Sequence, residues 1–276
     1  MFWFKKKDES PAKIEKVSSV EIYKDNQENP DRIYDEKYGQ PINVFSQPSS
    51  INSNLEVISG KGINEALILE CINKIDSIYY QINLAIKDYI VNLILKHPEL
   101  CYILYDKSTG NLVGYLYCFA LTEIGTVNFL LGNETFETMS DEIFANPSTM
   151  EGLFNLNIAE FAMLPEYQTN ENYHALFAAL ATSLAELTKR NCYVNYSFIE
   201  ISNIFEREFA KAMNYETIND TKNNRKMAGN VFDYKHFQNI ATYDKLKEAY
   251  ETPEAEEFLK LQQNYNYLFT GKTGTL

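Results

Sequence analysis

No stretch of this 276-residue chain reaches the roughly 20 consecutive apolar residues of a membrane span, so no transmembrane segment is expected. Basic residues are also scarce: 25 Lys and Arg stand against 38 Asp and Glu, for a net charge of −13 with no basic patch. Nucleic-acid phosphates require such a patch, so no nucleic-acid partner is expected. The four cysteines (Cys71, Cys101, Cys118 and Cys192) include no CxxC pair, and the three histidines show no HxH or HxxxH spacing. Zinc ribbons, redox pairs and histidine metal sites are therefore not expected, and no metal is assigned. Single cysteines inside apolar runs read as reduced core residues, which suits a cytoplasmic protein. The opening MFWFKKK has its charge after its aromatics, the reverse of a secretory signal, and reads as a mobile tail.

The apolar and aromatic fractions, 45% and 14%, are those of a folded domain. They are unevenly spread. Residues 1–53 are polar, with Pro, Ser, Asn, Asp and Glu throughout, and read as a mobile arm with at most a short strand near Ile42 to Phe45. From Leu55 the pattern is that of a domain over residues 54–240. Leu55 to Ile58 starts a strand; Ile63, Leu67, Cys71, Ile72 and Ile75 follow with helical spacing; a second helix spans Leu84 to Lys96, between Asn83 as cap and Pro98 as stop. Cys101 to Tyr105 and Leu112 to Leu121 flank a polar turn and predict a hairpin. Residues 123–153 read as an insertion with one short helix at Ser140 to Ala145. Further on come a strand at Tyr193 to Ile199, a helix at Ile204 to Met213, and strands at Tyr215 to Ile218 and Ala228 to Phe237. Residues 241–276 read as a helical C-terminal extension with a helix from Thr252-Pro253 to Gln262, packed on the domain through Tyr243, Leu246, Tyr250, Phe258, Leu261 and Leu268.

The stretch Phe154 to Phe177 draws these elements together. An apolar strand, Leu156 to Leu164, meets Pro165, crosses a short polar loop and re-emerges as an Ala- and Leu-rich helix ending near Arg190-Asn191. A strand feeding a helix N-terminus makes an anion site, because first-turn N–H groups lack intrahelical partners and the helix dipole adds positive potential. Glycines usually let backbone approach a phosphate closely at such a site. This loop has none.

The order of elements, with Leu164-Pro165-Glu166-Tyr167-Gln168, Asn203 followed twelve positions on by Tyr215 in Met213-Asn214-Tyr215-Glu216, and Val113-Gly114-Tyr115 in the hairpin, resembles the GNAT superfamily of CoA-dependent N-acyltransferases over roughly Leu55 to Phe237. The resemblance implies an α/β fold: a mixed, mostly antiparallel sheet flanked by helices. It implies acetyl-CoA or another acyl-CoA as cofactor, with Met163 and Leu164 aligning the pantetheine. Gln168, Thr169, Asn170, Glu171, Asn172 and Tyr173 would form the pyrophosphate loop, and Asn203 would join them. It also implies transfer of an acyl group to an amine acceptor, of unspecified small-molecule or protein nature. Glu160 is the candidate general base, from the strand where the family often draws one; the other reading of Glu160 is a charge on a solvated strand face.

The departures fall at the chemistry. Glu171 and Tyr173 occupy positions where the family has small residues, placing a negative charge and a bulky ring where a pyrophosphate should approach. Gln168 lacks the charge of an Arg. Ala210 stands where many members have a proton-donating tyrosine, beside Phe209. His174 in the helix's first turn reads as a surface residue, His97 as helix-end chemistry, and His236 as a strand surface. Ile78-Tyr79-Tyr80-Gln81-Ile82 falls where the family shapes its acceptor pocket, although aromatic core packing is the commoner role. Two functions follow: an N-acyltransferase, or an acyltransferase fold that has lost catalysis and serves as a binding or regulatory module.

Overall fold

Two strands separated by a turn of Lys, Ser, Thr and Gly form a hairpin on one side of the sheet. They are β2, Cys101–Asp106, and β3, Asn111–Leu121, preceded by β1, Leu55–Ser59. At the turn Gly110 takes φ +71°, a conformation L side chains rarely adopt. The computed structural model describes residues 53–79, 84–134, 140–201, 204–218, 226–269 and 273–274. The strand expected at Ile42 to Phe45, and all of the expected arm before residue 53, lie outside them.

The remaining elements are α1 (Glu65–Cys71), α2 (Leu84–Lys96), α3 (Glu123–Leu130), β4 (Gly152–Met163), α4 (Asn170–Thr188), β5 (Cys192–Glu200), α5 (Ile204–Ala212), β6 (Glu216–Ile218), β7 (Met227–Val231), α6 (Tyr243–Tyr250), α7 (Pro253–Leu259) and β8 (Thr273–Gly274). The eight strands form one sheet in the order β1-β2-β3-β4-β5-β7-β6-β8, antiparallel throughout except for the β4–β5 pair. Strand alternation divides the core in two. Leu116, Cys118 and Ala120 of β3 join Leu176, Phe177 and Leu180 of α4 on one face. Tyr115, Tyr117 and Phe119 join Cys71, Ile72 and Ile75 at the end of α1, with Val91 and Ile94 of α2, on the other.

Local chemistry explains the boundaries. Asn64, Thr122, Thr169 and Thr252 each accept a first-turn backbone N–H, starting α1, α3, α4 and α7. Asn191 and Asn214, with φ of 55° and 52°, follow α4 and α5 in left-handed conformation.

Three expectations need correction. The helix of the 123–153 region lies at Glu123–Leu130, while Asp141–Ile143 forms only a single 3-10 turn. The Thr122 cap and the close seat of Gly125, where a Cβ would stand 2.5 Å from the Ile143 carbonyl oxygen, outweigh glycine's poor helix propensity. The last long strand stops at Val231, and Asp233 caps a 3-10 turn at Tyr234–Phe237, so His236 sits in a turn. Beyond residue 241 the chain is not purely helical: α7 ends at Leu259, Leu261 is 64% exposed, and β8 returns to pair with β6.

Leu246 and Tyr250 are buried against the sheet, as is Tyr265 farther on. Tyr250 packs on Tyr193, Phe232 and Tyr234, and its hydroxyl accepts the Val194 N–H at 3.2 Å. Tyr250→Ala is therefore expected to cost about 3–5 kcal/mol as a large-to-small core change. Tyr250→Phe, which strands a buried N–H, should cost about 1–3 kcal/mol. Urea unfolding of the two variants measures both, and midpoints equal to wild type would contradict this packing.

Candidate active site

β4 lies between two unlike neighbours. With β3 it pairs antiparallel along nearly its whole length, from Asn155 opposite Leu121 to Met163 opposite Gly114. With β5 it pairs parallel only as far as Ile158 opposite Ile199. Glu160 to Met163 thus keep β3 and have no β5 residue across from them. The β3 ladder also slips here, since Tyr117 faces Glu160 while Cys118 faces Ile158, leaving Ala159 as one extra residue. Such a bulge bends a strand and re-aims its side chains. Below the parting, Phe161 meets Tyr173, Phe177 and Phe209 at centroid distances of 5.6–6.0 Å, and Met163 is fully buried.

Glu160 is half-buried and lies on the face covered by α1 and α2, opposite Tyr117. There it meets a carboxyl that sequence reasoning missed. Helix α1 runs into a wide π turn, Ile72–Asp76, which brings Asp76 inward to 1% exposure. The Tyr115 hydroxyl donates to Asp76 Oδ1 at 2.5 Å, while Oδ2 has no hydrogen-bond partner among the described residues. Tyr115 stacks on Tyr117 at 4.3 Å. Burial first, and then the neighbouring Glu160, push the Asp76 carboxyl well above the usual carboxylate range; the Tyr115 bond pulls the other way. Burial likewise pushes the Cys71 thiol up, with Asp76, Glu70 and Glu160 adding to it against a lowering contact with Tyr117. The signal for Asp76 was in the sequence. It is a charged residue four positions after Ile72, within the row Ile68, Cys71, Ile72 and Ile75, all of them buried.

The loop between β4 and α4 is held from within. The Tyr167 hydroxyl donates to Asp106 Oδ2 at 3.0 Å, tying the loop to the β2–β3 turn. The Ser108 hydroxyl bond first, against burial, and then the Ser108 N–H, Tyr167 and Thr109 hold the Asp106 carboxyl down to about 2. The buried Asn172 side chain donates to the Tyr167 carbonyl at 2.7 Å, and the Gln168 amide reaches back to the Met163 carbonyl at 3.4 Å. Thr169 caps the helix through the Asn172 N–H at 3.3 Å. Leu164 and Asn170 are half-buried, and Glu171 is exposed at the helix start.

Tyr173 does not stand where the sequence placed it. Its ring is 1% exposed and packs between Phe161 and Phe205, facing the core, so it cannot obstruct the mouth of the loop. Its apolar ring gains more from that burial than from solvent. Replacing it by Gly would open a core cavity rather than an anion site. His174 is also buried, because the inward face of α4 is wide enough to include it. His97 stacks on Phe144 at 4.2 Å. Ala210 is fully buried against the core, and Tyr215 packs edge-on to Phe209. The tyrosine hydroxyl is buried near Ser197, and burial pushes it up. Asn203 and Tyr80 lie outside the described residues. Among the described residues, no group of three or more His, Cys, Asp or Glu is arranged to hold a metal, and no helix is long and apolar enough to cross a membrane.

Asp76 gives this site a pH signature. A carboxyl raised on folding stabilises the fold most while protonated; its contribution is complete below the ordinary value near 3.9 and is lost as pH rises through the raised one. Wild type should therefore lose stability relative to Asp76→Asn as pH rises from 4 toward neutral, with a slope no steeper than about 1.4 kcal/mol per pH unit. Urea unfolding of both proteins across that range tests this, and a gap independent of pH would contradict it.

No family model matches the chain, and no curated protein matches it. Solved structures align with it over about two thirds of its length. A mosquito arylalkylamine N-acetyltransferase like 5b is 9% identical, covering 64% of this chain and 100% of its own, with a TM-score of 0.43. An acetyltransferase from Streptococcus agalactiae is 10% identical, with coverages of 66% and 100% and a TM-score of 0.40. The NatB acetyltransferase complex bound to a bisubstrate inhibitor is 10% identical, with coverages of 63% and 87% and a TM-score of 0.40. By its own strand order and helix placement, this chain has an α/β fold, with a mixed, mostly antiparallel sheet flanked by helices.

Proposed function

We propose that the chain is an N-acyltransferase that moves an acetyl or other acyl group from an acyl-CoA to an amine. The observation that carries this reading is the parting of β4 from β5 after Ile158, with Glu160 beside the gap. Past that parting, the β5 side of β4 can bond the amides of a pantetheine arm, as it would bond another strand. The start of α4 offers further first-turn N–H groups for the pyrophosphate, beyond the one Thr169 engages. Glu171 works against that anion, and Tyr173 does not. The thioester supplies the activated acyl carbon. Glu160, directly or through water, takes one proton from the ammonium form of the amine, and the freed nitrogen electron pair attacks that carbon; the C–S bond breaks, and the second N–H proton passes to the leaving thiolate. Backbone N–H groups near the β4 bulge would polarise the carbonyl oxygen.

A second reading, a binding or regulatory module, draws on Glu171 at the helix start and on fully buried Ala210 where the family resemblance expects a proton donor. Isothermal titration with acetyl-CoA separates the two. The transferase reading predicts micromolar binding, with Glu160→Gln leaving that affinity intact while lowering turnover on a primary amine by about 10²–10⁴-fold. No heat at millimolar acetyl-CoA would overturn it.

A further inference from the structure

Two buried asparagines stand two residues apart on one face of β4, and only one of them is satisfied. Asn155 faces Leu121 and Asn157 faces Phe119, both in the core on the α1 side of the sheet. The Asn155 amide nitrogen donates to the Tyr265 hydroxyl at 3.4 Å, and its oxygen accepts from Asn195 Nδ2 at 2.7 Å. Asn157 is 1% exposed, and neither its amide nitrogen nor its amide oxygen has a hydrogen bond among the described residues. Native cores seldom leave a donor and an acceptor open on one buried side chain, because both lose water and gain nothing in return. Aromatic rings wall this amide. Phe119 faces it from β3 and Phe198 from β5, and Phe129 of α3 packs against Phe198 at 5.7 Å. Just past Ile158, Ala159 and Glu160 are half-buried, so the strand opens to solvent on the side where β4 leaves β5. In the other direction Tyr265 closes the row over Asn155.

We propose that Asn157 is the recognition residue of a site for a neutral primary carboxamide, entered from the Glu160 end of β4 and walled by Phe119 and Phe198. The inference goes beyond the transferase reading, which gives Asn157 no role, and does not depend on it. A primary carboxamide carries an N–H and its C=O on one edge. It therefore meets the asparagine edge two for two, donor to acceptor and acceptor to donor. Other groups match only half of it. An ammonium offers donors alone, and a carboxylate or ketone offers acceptors alone, so each leaves one asparagine atom open. The two charged groups would also have to enter a space walled by phenyl rings, where charge is poorly solvated. A trans peptide group turns its N–H and C=O to opposite sides and reaches only one of the two atoms. Flanking rings favour a flat ligand, which can lie against them.

Benzamide and acetophenone test this, because they share a flat shape and a carbonyl and only benzamide adds N–H donors. Each is titrated into the full chain near neutral pH and followed by NMR. Benzamide should bind about tenfold more tightly than acetophenone and should shift the Asn157 side-chain amide signals. Asn157→Leu, similar in shape but without polar atoms, should cut that preference below about threefold. The same variant should raise the urea midpoint, since an unbonded donor and acceptor leave the core. A lower midpoint would mean that a buried water only satisfies the amide, and it would overturn the inference. Absent or equal binding of the two probes by wild type would overturn it too, as would Asn157 amide signals that benzamide leaves unmoved. Those wild-type readouts decide the matter even if the Leu variant fails to fold. Acetyl-CoA titration of the same sample reports on the transferase reading separately. Acetyl-CoA binding without carboxamide preference sinks this inference alone, whereas carboxamide preference without acetyl-CoA binding sinks the transferase reading and leaves the carboxamide site.

Discussion

The structure depends on how one strand is shared. β4 has an antiparallel neighbour, β3, on one side and a parallel one, β5, on the other, and only the first keeps it to its end. It follows β3 to Met163 and leaves β5 after Ile158. The extra residue at Ala159 changes which side chains reach which layer. Phe161 and Met163 enter the core under α4, Ala162 joins the core under α1, and Glu160 faces Tyr117. The opening beside β4 and the carboxyl at its edge therefore share one cause.

That arrangement sets two demands on the surroundings. Under the gap, an aromatic cluster of Phe161, Tyr173, Phe177, Phe205 and Phe209 replaces the support a paired β5 would give. Above it, the π turn at the end of α1 lowers Asp76 into an apolar layer beside a second acid. Two acids so placed cannot both ionise freely in a medium that solvates charge poorly. Such an arrangement sacrifices stability, as sites that handle protons or cations commonly do. Elsewhere the core is conventional. On the next strands Gly229 lets β7 lie close to β5, where a Cβ would come within 2.6 Å of the Tyr196 hydroxyl.

Elements with strong periodicity were legible in the sequence. The Leu84–Lys96 helix has the predicted bounds, and β2, β3, β5 and α5 fall within a residue or two of expectation. Where a tertiary contact outranked local preference, the reading failed. Gly125 sits in a helix because Ile143 presses on it, and β7 ends early because Asp233 caps a turn. At the site, Glu160 was legible as an acid on an apolar strand, but its partner required knowing that a π turn rotates Asp76 inward. Tyr173 was misplaced for a related reason. Counting positions along a loop motif does not say which face of the following helix a residue takes, and this one takes the core face.

The proposal rests on the half of β4 beyond its pairing with β5 receiving the acyl donor. Amide hydrogen exchange with and without acetyl-CoA tests it most directly. Exchange should slow at Ala159 to Met163 and in the first turn of α4, while amides of β1 and β2 at the far side of the sheet stay unchanged. Slowing that bypasses Ala159 to Met163, with bound acetyl-CoA verified in the same sample, would contradict the account.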